Sequence, residues 1–185
     1  MRQRPEPQQD PLITVSFNRA LAEHCDGLKT FATRMLGDAT LAEDMAQDAF
    51  LALYRHLHEV PPAAFRPWLY RVTRNLCLDQ LRRRKFRLRL FGDLARDDES
   101  APTHEDVRAD RPDQIAESRE AQAAIDKAIA ALPAKFRDTF LLCEVQGLSY
   151  EDASAVLGIP VKTVSTRLFR ARLRFKEAVA DLIKV

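Results

Sequence analysis

Lys162, Ser165, Thr166, Phe169 and Arg170 share one side of a stretch, Val161–Lys176, that holds six basic residues and no acidic one. Guanidinium, ammonium and hydroxyl groups on one helical face can reach base edges in a major groove while neighbouring cations meet phosphates. Val161, Val164, Leu168, Ala171 and Phe175 recur at three- and four-residue steps and predict a buried stripe on the other side. The plain alternative is a helical hairpin with a solvated basic face. Such a face more often mixes signs, with Glu four residues before Lys, and rarely leaves a Phe outside. An outward Phe169 suits a thymine methyl or a protein partner.

Two further groups carry chemistry. Asp44, Gln47, Asp48 and Leu51 fall on one face of a predicted helix whose buried stripe is Leu41, Met45, Ala49, Phe50, Leu53 and Leu57. That face fits a basic or amphipathic partner; the competing reading is that its carboxylates only favour the helix N-terminal dipole. Arg66, Tyr70, Arg71, Arg74 and Asn75 share or border another face, interleaved with Trp68. Basic residues among aromatics suit single-stranded nucleic acid, because rings stack on unpaired bases while Arg holds the backbone. For Trp68 alone the core-anchor reading is the stronger one.

The elements that must position these groups are helices. Ser149 and Asp152 fit a capping box opening a short helix that ends near Leu157. Gly158 can take the left-handed turn, and Pro160 can sit in the first turn of the next helix, which completes a helix-turn-helix. Upstream, Phe17, Leu21, Leu28, Phe31, Ala32, Met35 and Leu36 predict helix, divided near Asp26-Gly27. Thr40 with Glu43 is expected to cap the helix of the acidic face. Pro61-Pro62 ends that helix, and a long one follows from about Ala64 to the late eighties, with Phe65, Trp68, Leu69, Val72, Leu76 and Leu81 toward the core. Ile115, Ala121, Ala124, Ile125, Ala128, Ile129 and Leu132 predict another helix up to Pro133. Phe136, Phe140, Leu141, Cys143 and Val145 carry the next, which Gly147 caps.

Composition bounds the class. The chain has 185 residues, 46% hydrophobic and 30% charged, as in a globular protein, with room for one domain or two small ones. No apolar run approaches a membrane span or a signal peptide, which predicts a cytoplasmic protein without a membrane span of its own. The net charge of +2 hides segregation. Arg66–Arg89 sets nine basic residues against Asp79 alone, whereas Asp93–Asp113 holds eight acidic ones. Cys25, Cys77 and Cys143 are far apart and sit in apolar helical patterns, so they read as small core residues. There is no metal-ligand spacing, phosphate loop or nucleophile elbow, and the reading is of a non-enzyme that needs no cofactor. The fold expected is all-α: a disordered N-terminus (1–11), a helical domain (12–90), an acidic flexible linker (91–113) and a second helical domain (114–185).

Three motifs in order now carry a resemblance: AEDMAQDAF (Ala42–Phe50), FRPWLYRVTRNLCLDQLRRR (Phe65–Arg84) and LPAKFRDTFLLCEVQGLSYEDASAVLGIPVKTVSTRLFRARLRFKEA (Leu132–Ala178). The chain resembles a bacterial RNA polymerase sigma factor of the extracytoplasmic-function (ECF) type, which keeps only regions 2 and 4. The resemblance implies that Asp44, Gln47, Asp48 and Leu51 dock on the clamp helices of the largest subunit of the polymerase core. It implies that His58, Glu59, Arg66, Trp68, Arg71, Arg74 and Asn75 serve the −10 element and promoter melting, with the loop His58–Ala64 receiving a flipped base. It implies that Lys162, Ser165, Thr166, Arg167, Phe169 and Arg170 read the −35 element in promoter DNA. The loop departs from the family, which often has Gly, Asp, Ser or Asn where this chain has Pro61-Pro62-Ala63-Ala64. An anti-sigma factor is a further implied partner, with Leu51 and Phe169 as contacts.

Two other functions fit part of these observations. A stand-alone helix-turn-helix regulator would bind a palindrome as a dimer, but has no use for the Asp44/Gln47/Asp48 face or the aromatic-basic helix. A mimic that sequesters an anti-sigma factor need not keep a DNA-reading helix.

Overall fold

The computed structural model describes residues 11–91 and 112–183, and every helix or turn among them is helical in type. Residues 1–10 of the expected disordered N-terminus and most of the expected acidic linker lie outside the described residues, whereas Pro11 already opens the first helix. The N-terminal half contains α1 (Pro11–Leu36), α2 (Ala39–Arg55), a 3-10 turn (Pro62–Ala64) and α3 (Phe65–Phe91). The C-terminal half contains α4 (Pro112–Ala131), α5 (Ala134–Phe140), a π turn (Leu141–Val145), α6 (Tyr150–Leu157) and α7 (Val161–Ile183).

The first three helices bury one stripe each against one another. Leu28, Phe31, Ala32 and Met35 of α1 meet Met45, Ala49, Phe50 and Leu53 of α2 and Phe65 and Leu69 of α3. α1 runs unbroken through Asp26-Gly27, where a division was expected. Tertiary packing overrides the weak helix propensity of one internal glycine. Gly37, at φ +72°, ends α1, its N–H donating to the Thr33 carbonyl at 2.7 Å. The cap of α2 is Asp38 and not Thr40: its extended backbone lets Oδ1 accept the Leu41 N–H at 2.9 Å. Pro67 falls in the first turn of α3, where its missing N–H costs no helical bond.

In the C-terminal half, Ile129, Phe136, Phe140, Leu142, Val156, Val164 and Leu168 are buried together. Pro133 separates α4 from α5. After Phe140 the helix widens by one residue per turn. The Gln146 N–H reaches the Leu141 carbonyl at 3.0 Å, and the Leu148 N–H reaches Leu142 at 2.9 Å. Gly147 then turns the chain at φ +63°. Such π turns recur at functional sites because they re-aim side chains, and here the re-aimed residue is Gln146. Buried residues of the two halves form one continuous cluster.

Candidate functional site

The helix-turn-helix forms as its sequence predicts. Ser149 Oγ accepts the Asp152 N–H at 3.0 Å, and Gly158 takes φ +65° at the end of α6. Ser154 Oγ donates to the Ile159 carbonyl at 2.5 Å, which ties the turn to α6. Val164, Leu168 and Ala171 seat α7, with Phe175 half-buried against the Phe140 ring. Val161 was expected in that stripe but is 38% exposed, because it opens the helix where the turn leaves no neighbour over it.

Lys162, Ser165, Thr166, Phe169 and Arg170 all reach the surface on α7, and Arg167 is half-buried beside them. Phe169 is 69% exposed, the most open large apolar side chain among the described residues. Thr166 Oγ1 donates to the Lys162 carbonyl at 2.9 Å, so its remaining lone pairs face outward as acceptors. The six cations divide into roles. Arg172 is held by Glu144 at 2.6 Å, and Arg174 lies over the Phe136 ring at 5.4 Å, so both help to dock α7.

On α2, Asp44, Gln47, Asp48 and Leu51 form an exposed row at i, i+3, i+4 and i+7, opposite the buried Met45, Ala46, Ala49, Phe50 and Leu53. Tyr54, 44% exposed with its ring against Phe17 at 5.5 Å, extends this row and was missed by sequence reading. Its place three residues after Leu51 was the available signal.

At the end of α2, His58 and Glu59 are exposed on the rim of an open hollow bounded also by Ser16, Val60, Pro62 and Phe65. The His56 N–H closes on the Leu53 carbonyl at 3.0 Å, and the Val60 N–H on that of His56 at 3.0 Å. Prolines at 61 and 62 then lead into α3. Trp68 is half-buried with the His56 ring 6.0 Å away, as a core anchor would be.

α3 divides the residues assigned to one function. Arg71 and Asn75 are exposed. Arg66, Tyr70 and Arg74 instead turn toward the C-terminal half. The Arg74 guanidinium binds Asp138 at 2.8 Å, the Arg66 guanidinium donates to the Gln146 carbonyl, and Tyr70 Oη donates to Gln146 Oε1 at 2.7 Å. Tyr70 is only 2% exposed and packs edge-on against Phe31, so it is an interior residue and not part of an open basic face as its spacing suggested. Burial pushes its hydroxyl up to about 12, with Arg66 opposing. Burial also raises the Cys77 thiol to about 12, with the Asp138 carboxylate adding to the effect. Cys143 rises to about 11, first by burial and then by Glu144. Cys77 is fully buried in the core, and Cys143 packs partly buried against it. Among the described residues no group of three or more His, Cys, Asp or Glu is placed to hold a metal ion.

Comparison with known proteins defines the class. Residues 21–87 match Sigma-70 region 2, and residues 122–175 match Sigma-70 region 4. The chain belongs to the sigma-70 family of RNA polymerase sigma factors, and within it to the extracytoplasmic-function type. It is 33% identical over 171 residues to the ECF RNA polymerase sigma factor SigE of Mycolicibacterium smegmatis, covering 92% of this chain and 64% of that one. It is 32% identical to the ECF sigma factor SigW of Bacillus subtilis, covering 85% of each chain. Its fold resembles that of the sigma factor RpoE of Bartonella quintana, solved in complex with the anti-sigma factor NepR. That match has a TM-score of 0.70 at 26% identity and covers 91% of this chain and 97% of the other. No described helix is long and apolar enough to cross a membrane.

Proposed function

We propose that this sigma factor works without catalysis or cofactor of its own, in the cytoplasm, by carrying polymerase to promoters through three surfaces. Region 2 comprises residues 12–90 and region 4 residues 114–185, joined by an acidic linker. Asp44, Gln47, Asp48 and Leu51 of α2 dock on the clamp helices of the largest core subunit, with Tyr54 at the end of the row. Lys162, Ser165, Thr166, Arg167, Phe169 and Arg170 of α7 read the −35 element in the major groove. His58, Glu59, Arg66, Trp68, Arg71, Arg74 and Asn75 serve the −10 element and its melting, the hollow at His58 receiving an unpaired base. An anti-sigma factor restrains the protein by covering apolar residues on these faces, such as Leu51 and Phe169.

The observation that carries this reading is the row Asp44-Gln47-Asp48-Leu51 standing open on α2 together with an open, cationic recognition face on α7. A stand-alone repressor needs the second and not the first. Two small surfaces joined by a tether each bind weakly, and polymerase fixes their spacing, so that promoter affinity arises only in the complex. The test is transcription in vitro with bacterial core polymerase and a library of promoter fragments. Discrete start sites sharing elements near −35 and −10 are expected. Core binding without transcription would favour a mimic, and specific duplex binding without core binding would favour a stand-alone regulator.

A further inference from the structure

The last turns of α3 outrun the bundle. Every residue from Arg82 to Leu90 is exposed, so no described element covers this end of the helix. It carries six cations, Arg82, Arg83, Arg84, Lys85, Arg87 and Arg89, and from Gln80 to Phe91 there is no acidic residue. It also holds three large apolar side chains in water: Phe86 at 63%, Leu88 at 51% and Leu90 at 59% exposure. None of these residues belongs to the surfaces proposed above for polymerase, the −10 element or the −35 element.

Helical spacing sorts them into faces. At about 100° per residue, Phe86 and Leu90 share one stripe. Arg83 and Arg87 border that stripe on one side, and Arg82 and Arg89 on the other. Arg84, Lys85 and Leu88 lie on the back. Gln80, Arg83, Phe86 and Arg87 bound an open hollow, so two guanidinium groups and an amide gather beside the exposed ring. Arg82 is paired with Asp79 at 2.5 Å, but with side-chain exposures of 73% and 53% the pair is weak and yields to another anion.

An apolar pair between two rows of arginine has a definite complement: an anionic layer over a hydrocarbon interior. Phosphate headgroups accept from the guanidinium groups. The apolar stripe enters the boundary between headgroups and acyl chains, and the arginine stems lie along it with their heads outward. Nucleic acid would use the cations and could stack a base on Phe86, but Leu90 has no ring to stack and would stay in water. No described helix can cross a membrane, so the attachment is peripheral.

We infer that the exposed end of α3 docks on anionic lipid bilayers, with Phe86 and Leu90 inserted and Arg82, Arg83, Arg87 and Arg89 on lipid phosphates. The attachment is weak and reversible. Two side chains bury less apolar surface than an acyl anchor, and the charge contribution fades with salt. This inference is independent of the polymerase and promoter roles proposed above.

Flotation of the full chain with phosphatidylcholine vesicles containing about one third phosphatidylglycerol tests it, with pure phosphatidylcholine vesicles as reference. Binding to the anionic vesicles alone, falling as salt is raised, is expected. Phe86→Ser with Leu90→Ser keeps every cation and should lower the bound-to-free ratio by about tenfold or more. Leu88→Ser, on the back of the same turn, should leave it unchanged. All three side chains are exposed, so these variants keep the fold, which circular dichroism checks. Absence of vesicle binding overturns the inference. So does equal binding to neutral vesicles, binding unchanged in the double variant, or an equal loss in Leu88→Ser. The same proteins are titrated into labelled duplex and single-stranded DNA of unrelated sequence. Unchanged DNA affinity in the double variant supports the lipid assignment. A loss there as large as on vesicles would make this end a nucleic-acid surface and overturn it.

Discussion

Gly27→Ala sets a gain in helix propensity against a clash with Tyr70 and Gln146. Gly27 lies inside α1, where glycine costs about 1 kcal/mol relative to alanine. The helical term of the change alone therefore stabilises by about 1 kcal/mol. In the folded chain the new methyl group stands 2.7 Å from Tyr70 Oη and 2.9 Å from Gln146 Oε1. The end of Gln146 can swing away. Tyr70 cannot, because its ring is 2% exposed and edge-on to Phe31 with centroids 5.5 Å apart. Losing the Tyr70–Gln146 hydrogen bond costs about 1 kcal/mol, and overpacking adds about 1–3 kcal/mol. Against the helical gain, the net effect is a loss of about 1–3 kcal/mol, or several degrees in Tm. Urea and thermal unfolding of the two proteins, followed by circular dichroism, measure it. A Tm equal to or above that of the unsubstituted chain would show that nothing packs on Gly27 and would refute the close approach of Tyr70 and Gln146 to α1.

Asp44→Ala and Gln47→Ala should weaken binding to core polymerase while shifting stability by less than about 0.5 kcal/mol, since both side chains are exposed; unchanged affinity in both would remove the docking role. Arg170→Ala should cost about 1–3 kcal/mol on −35 DNA and less on unrelated duplex if it contacts a base. An equal loss on every sequence would assign it to phosphate. Burial, and then Arg66, hold His24 below its ordinary value of about 6.5. The folded chain therefore favours the neutral imidazole, and its contribution to stability is present above about pH 6.5 and lost as pH falls toward the depressed value. Tm should fall between pH 7.5 and 5.5, and fall less in His24→Gln; an equal fall in both would exonerate His24. Cys77, with its thiol near 12 and no exposed surface, should resist alkylation at pH 8 in the folded protein. Rapid modification, mapped by peptide mass, would contradict its burial.

The all-α class and the recognition helix were legible in the sequence because they rest on local rules. Apolar spacing of three and four residues, Ser149 before Asp152 and Gly158 before Pro160 act within a few residues of chain. The open row on α2 was legible for the same reason. Choices between near-equivalent local signals were not. Asp38 and Thr40 both offer a capping oxygen, and the extended backbone at Asp38 decides between them. A single glycine in a helical pattern marks either a break or a close approach, and at Gly27 the approach of Tyr70 and Gln146, both distant in sequence, decides. The π turn at Leu141–Val145 has no signature in apolar spacing, which reads as ordinary helix.

The deepest division runs along α3. Sequence alone determined that this helix is cationic and aromatic, because periodicity assigns residues to faces. It did not determine which face meets solvent and which meets the second half of the chain. Arg66, Tyr70 and Arg74 are held by Gln146 and Asp138, residues 64 to 80 positions away, while Arg71 and Asn75 stay exposed. Such pairings depend on how two separately formed units meet, and no local spacing encodes that geometry.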